Sequence, residues 1–192
     1  MAWYERLFLP DRRGVLKPPV LETDRLLLRA PKLSDAREVY AYACDPSVSR
    51  YVLWERHRSV RDARLFLSDL IRENARGEGM TLCCVLKSRD AVVGTIGFCG
   101  IDSENMRGEV GYSFAQNVWG HGIATEALQC LLSYGFDVMK LHRIEGECDV
   151  RNPASARVME KCGMIREGVL KARFLNKGEF VDVVLLARTQ RE

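Results

Sequence analysis

The stretch FAQNVWGHGIATEALQ, Phe114 to Gln129, sets two glycines, Gly120 and Gly122, ahead of a run of good helix formers. A strand-like run, GEVGYSFA, leads into it, and a second, RIEGECDV at Arg143–Val150, follows it. A helix between two strands is a crossover, and a crossover joins strands that lie parallel. The helix entrance has chemistry of its own. Its N–H groups are unpaired and carry partial positive charge, so they attract a phosphate or a similar anion. Glycine there lets ligand oxygens approach the amides that a side chain would hold away. No Lys–Ser or Lys–Thr pair follows to hold a nucleoside triphosphate and its magnesium. The alternative is a tight turn that needs glycine and binds nothing.

Working outward, RLLLRAP (Arg25–Pro31) reads as a short strand. Ser34 is expected to cap a helix running to about Cys44, with Ala36, Val39, Tyr40 and Ala43 on one face, ended by Asp45-Pro46. A second helix begins at Ser59, with Asp62 as capping-box partner, and Gly77 and Gly79 stop it. From Met80 the period changes to that of strands. TLCCVLK and AVVGTIGFCGI form an antiparallel hairpin around Ser88-Arg89-Asp90. The crossover helix spans about Gly122 to Lys140. After RIEGECDV, Asn152 caps another helix with Pro153 in its first turn, and Gly163 ends it. Two last strands flank Asn176-Lys177-Gly178. The sum is an α+β domain with a mixed, mostly antiparallel sheet of about seven strands and about four helices. Residues 21–192 form the single domain, and residues 1–20, with two Pro-rich turns, an N-terminal arm.

Composition narrows the function classes. A chain of 192 residues is enough for one well-buried core. A net charge of +3 does not indicate direct nucleic-acid binding, and Asp11-Arg12-Arg13 and Arg56-His57-Arg58 read as solvated faces. Seven cysteines without a C-x-x-C pair suggest reduced, mostly buried thiols. His57 and His142 lack partners at ligand spacing, so no metal site is assigned. The first residues do not read as a signal peptide, and no apolar run reaches membrane-spanning length. The expectation is a soluble, cytoplasmic protein with no membrane partner; a homodimer is left open.

Three segments together carry a resemblance: Trp119-Gly120-His121-Gly122-Ile123-Ala124-Thr125-Glu126-Ala127, Asn152-Pro153-Ala154-Ser155 and Glu160-Lys161-Cys162-Gly163-Met164. The chain resembles the Gcn5-related N-acetyltransferase (GNAT) superfamily. LETDRLLLRAP and Tyr51-Val52-Leu53-Trp54 resemble its RimJ/RimL branch of ribosomal-protein N-acetyltransferases. The resemblance implies a sheet splayed between its fourth and fifth strands and an acetyl-coenzyme A site. Trp119, Gly120, His121, Gly122, Ile123, Ala124 and Thr125 would wrap the pyrophosphate. The strand ending at Phe114 would pair with pantetheine through its main chain, Asn152 would bond the pantetheine arm, and Ser155 would lie near the sulfur. Many members use a Tyr in the last helix as proton donor, where this chain has Met159, so the thiolate's proton would come from Ser155, another group or water.

Acyl transfer to an amine needs a neutral nitrogen. An α-amine, with a pKa of about 8, is usefully neutral near pH 7, whereas deprotonating lysine there costs about 4.6 kcal/mol. With no outstanding buried base, the sequence suits a protein N-terminal α-amine best. A small amine, or a non-catalytic acyl-coenzyme A sensor, are the rival readings. Glu109 is the candidate base, through a water; alternatively it is an exposed strand residue paired with Arg107 or Arg143. Glu126 is read as structural, and Tyr51 and Tyr112 as core aromatics with the acceptor pocket as the alternative.

Overall fold

The computed structural model describes residues 18–190. Its strands are β1 (Leu21–Glu22), β2 (Leu26–Arg29), β3 (Met80–Leu86), β4 (Ala91–Asp102), β5 (Arg107–Phe114), β6 (Arg143–Asp149), β7 (Ile165–Asn176) and β8 (Glu179–Thr189). They form one sheet in the order β1-β2-β3-β4-β5-β6-β8-β7. Every neighbouring pair is antiparallel except β5 and β6, the pair joined by the crossover. The helices are α1 (Ala36–Ala43), α2 (Pro46–Ser49), α3 (Val60–Arg76), α4 (Ile123–Ser133) and α5 (Pro153–Lys161). The elements beyond the expected count are the two-residue β1 and the four-residue α2, both too short to leave a periodic signal.

Local chemistry explains most of the boundaries. The Ser59 hydroxyl accepts from the Asp62 amide, whose carboxylate accepts from Ser59 N–H, and Gly77 closes α3 in the left-handed conformation. Asn74, buried near that end, exchanges two 2.8 Å hydrogen bonds with the Thr81 backbone and so fixes α3 to β3. Ser34 does not cap α1: it lies in a 3-10 turn, and the Asp35 carboxylate takes the Lys32 N–H at 2.9 Å and pairs with Arg29. Tyr42, not Tyr40, is consequently the buried tyrosine of α1. Asp45 does not simply end α1 but caps α2. The crossover helix passes into a π-helical turn at Tyr134–Val138, where a Cβ on Gly135 would meet Ile144 and Phe98 at under 3 Å. Residues 1–17, most of the expected arm, lie outside the described residues.

The two faces of the sheet are covered unequally. Leu128, Leu131 and Leu132 of α4 and Ala156 and Met159 of α5 join Leu82, Ile96, Phe98, Val110 and Ile144 in the main core. On the opposite face, α1 and α3 pack with Cys83, Val85 and Val92 of β3 and β4. That second cluster stops at the middle of the sheet and includes no residue of β5, β6, β7 or β8. The site is built where this cover ends.

Candidate active site

Parallel pairing of β5 with β6 begins at Arg107↔Arg143 and ends at Val110↔Gly146, although both strands continue. The expected splay is therefore present. Gly111–Phe114 stays paired with β4, and the Ala115 N–H bonds Val93 O at 2.8 Å. Antiparallel alternation turns the Phe114 N–H away from β4, toward the gap. The Phe114 carbonyl accepts the Trp119 indole N–H at 2.8 Å, so the half-exposed Trp119 ring is tied to the strand end it follows.

Two cavities meet at the gap. One, of about 530 Å³, is lined by Phe114, Trp119, Gly120, Gly122, Ile123, Ala124 and Thr125 on one side and by α5 on the other. Gly120 and Gly122 have φ of +77° and +76°, a conformation that side chains rarely adopt. A Cβ on Gly120 would meet nothing within 4 Å, so the need for glycine is first conformational. Gly122 is the N-cap of α4 and offers no side-chain cap, which leaves the first amides of the helix for a ligand. His121 is the member of the expected loop set that does not line the cavity; its carbonyl accepts from Arg25 at 2.9 Å. Glu126 bonds Thr23 and both the backbone and the guanidinium of Arg25, a structural clamp on β2.

The second cavity, of about 330 Å³, opens on the sheet face that α1 and α3 leave bare. Glu109, Glu147 and Asp149 line it, with Trp54, Phe66 and Phe174 among its aromatic walls. Arg173 grips Glu147 through two 3.1 Å bonds, and Arg151 pairs with Asp149. Glu109 has no ion partner among the described residues. The expected partners are engaged elsewhere, Arg107 with Glu145 and Asp102, and Arg143 with Glu145 and Glu167. Burial raises its pKa above the ordinary 4.5, the Glu147 charge raises it further, and Arg173 opposes both. A half-buried, unpaired carboxylate is a proton acceptor.

Tyr51, Val52, Tyr112, Ser113, Asn152 and Ser155 line both cavities. Asn152 Oδ1 accepts the Ser155 N–H at 3.2 Å as the cap of α5, and its Nδ2 has no partner among the described residues. The sequence reading did not foresee that Tyr112 Oη lies 2.9 Å from Ser155 Oγ and 3.0 Å from Ser155 O. Burial raises the Tyr112 pKa, so the phenol keeps its proton. Met159 is 1 % exposed, and its sulfur fills the space where a Cβ on Gly146 would sit. His57 is no part of a solvated face. It is 8 % exposed, packed against the tilted rings of Trp54 and Phe66, with its pKa lowered by burial.

The family model for the acetyltransferase (GNAT) domain matches residues 25–165. The chain belongs to the GNAT acetyltransferases. The N-acetyltransferase p20 of Bacillus licheniformis is 35% identical over 172 residues, which cover 90% of this chain and 97% of that one. A GNAT acetyltransferase from Bacillus anthracis is 33% identical, with a TM-score of 0.80 over 91% of this chain and 100% of that structure. The ribosomal-protein-serine acetyltransferase of Escherichia coli (strain K12) is 39% identical over 100 residues, 52% of this chain and 55% of its own. This GNAT chain is thus similar, over half its length, to a protein whose acceptor is a ribosomal protein. Among the described residues, no group of three or more His, Cys, Asp or Glu side chains could hold a metal, and no helix is long and apolar enough to cross a membrane.

Proposed function

We propose that this GNAT enzyme transfers an acetyl group from acetyl-coenzyme A to a protein N-terminal α-amine, by direct attack while both substrates are bound. The observation that carries the reading is the charge difference between the cavities. Among the described residues, the first is lined by Arg50, Arg151, Arg157 and Lys161 and by no carboxylate. The second is lined by Glu109, Glu147 and Asp149, of which Arg173 and Arg151 pair with the last two, so that Glu109 is its one free carboxylate. A polyphosphorylated donor suits the first, and an amine that arrives as a cation suits the second. The likeness to the ribosomal-protein-serine enzyme supports a protein acceptor.

In this reading the amides of Gly122–Thr125 hold the pyrophosphate, Asn152 Nδ2 bonds the pantetheine arm, and the Phe114 N–H pairs with its amide. Glu109, through a water, takes the proton from the attacking nitrogen as the C–N bond forms. The C–S bond breaks, and the departing sulfur takes the Ser155 proton, which solvent restores as Glu109 returns the amine's proton to water. Tyr112 keeps its own proton and orients the Ser155 hydroxyl across their 2.9 Å contact. Holding both reactants at the shared wall supplies much of the remaining acceleration. The test is thiol release with acetyl-coenzyme A and peptides copying ribosomal-protein N-termini, beside a panel of polyamines, amino acids and aminoglycosides. Turnover on peptides at micromolar KM supports the proposal; saturation by a small amine alone, or no turnover on either, overturns it.

A further inference from the structure

Arg157 and Lys161 lie one helical turn apart on the exposed side of α5 and line the larger cavity opposite the glycine entrance. Neither has a carboxylate partner among the described residues, whereas Arg151 of the same cavity is spent on Asp149 and Glu179. Two like charges at this spacing repel each other and weaken a helix. Lys161 has a compensating reason to be there, since a cation in the last turn suits the helix dipole; Arg157, in the middle of a nine-residue helix, does not. The amides of the glycine entrance account for two phosphates of a coenzyme A molecule. Its third, the 3′-phosphate on the ribose, is the dianionic end; of the cavity's other two cations, Arg151 is held by carboxylates and Arg50 lies over the Tyr51 ring.

We propose that Arg157 and Lys161 form a subsite for the 3′-phosphate of the donor, so that the enzyme distinguishes coenzyme A from its dephosphorylated precursor. This rests on the proposed donor. A guanidinium offers forked donors to phosphate oxygens and a lysine ammonium a mobile point charge, and together they match a terminal phosphomonoester better than a bridged diphosphate. Both side chains are exposed, so glutamine at both positions leaves the core of the fold untouched.

The experiment is a binding cycle by isothermal titration. Acetyl-coenzyme A and acetyl-dephospho-coenzyme A are titrated into the wild-type chain and into the Arg157→Gln/Lys161→Gln variant. The wild type should prefer the phosphorylated donor at least tenfold. The variant should lose that preference by weakening the phosphorylated donor far more than the dephosphorylated one. Equal wild-type affinity for the two ligands, or a variant that weakens both by the same factor, overturns the subsite and leaves the donor assignment standing. Absence of binding by either ligand to the wild type overturns the donor assignment itself, and the subsite with it.

Discussion

The two cavities share a wall of six residues and differ in almost everything else. The larger is made by main-chain amides, helix ends and cations, so much of its ligand preference is set by backbone conformation. The smaller is made largely by side chains of the sheet beside α3, which contributes Phe66 and Leu70, and its character rests on a single unpaired carboxylate, Glu109. Fold fixes the first, so it can be common to a family. Individual side chains fix the second, so it can vary with the acceptor. The difference teaches where mutations should affect donor binding, where they should affect chemistry, and where they should affect both.

The largest effect should come from Gly122→Glu. A side chain at φ +76° is strained, and a carboxylate at the helix entrance repels the pyrophosphate from the amides that hold it. Affinity for acetyl-coenzyme A should fall at least a hundredfold by isothermal titration, and much less in Gly122→Ala, which keeps the strain without the charge. Normal donor binding by a folded Gly122→Glu protein would break the assignment of the larger cavity.

Glu109→Gln should separate the cavities most cleanly. Donor affinity should be unchanged, while kcat falls by about 10² to 10³, the scale of a lost general base. The folded pKa of Glu109 is raised, so its ionisation costs stability. That cost sets in as pH rises past the ordinary 4.5 and is complete above the folded value. The variant should therefore melt higher than the wild type at pH 7 to 8 and no higher at pH 4, a sign opposite to its effect on rate. Calorimetry at the two pH values checks this.

Tyr112→Phe removes the hydroxyl that orients Ser155 and should lower kcat about tenfold with KM for both substrates held. Ser155→Ala should cost more, and adding Tyr112→Phe to it should cost little further, because Tyr112 acts through Ser155. Full additivity would break that link. The smallest expected change is in Glu147→Gln. Removing the neighbouring charge, and freeing Arg173 to face Glu109, should shift the acidic limb of the kcat–pH profile to lower pH.

Features written into adjacent residues were legible in the sequence. Ser59 with Asp62, Asn152-Pro153 closing at Gly163, and the Lys177-Gly178 turn are local chemistry, and the structure shows each where the pattern puts it. The parallel crossover followed from the order of strand, helix and strand. Features that depend on distant choices were not legible. Glu109 is unpaired because Arg107 and Arg143, on the same sheet face as Glu109, both choose Glu145, a matter of the β5–β6 register and not of local sequence. The Tyr112–Ser155 contact joins residues 43 positions apart. His57 sits between two arginines and looks solvated, yet the loop before α3 folds it under Trp54. His121 belongs to the loop motif by sequence, while the turn points its carbonyl to Arg25. The 3-10 start of α1 shifted its buried face from Tyr40 to Tyr42, a phase error that periodicity alone does not reveal.

The most direct measurement is a crystal structure of the chain grown with coenzyme A. The account predicts the pyrophosphate on the amides of Gly122–Thr125, the pantetheine arm along Phe114 in the gap beyond Val110 and Gly146, and the sulfur beside Ser155. Phosphates bound away from the glycine entrance, or β5 and β6 paired through Phe114 with the gap closed, would contradict it.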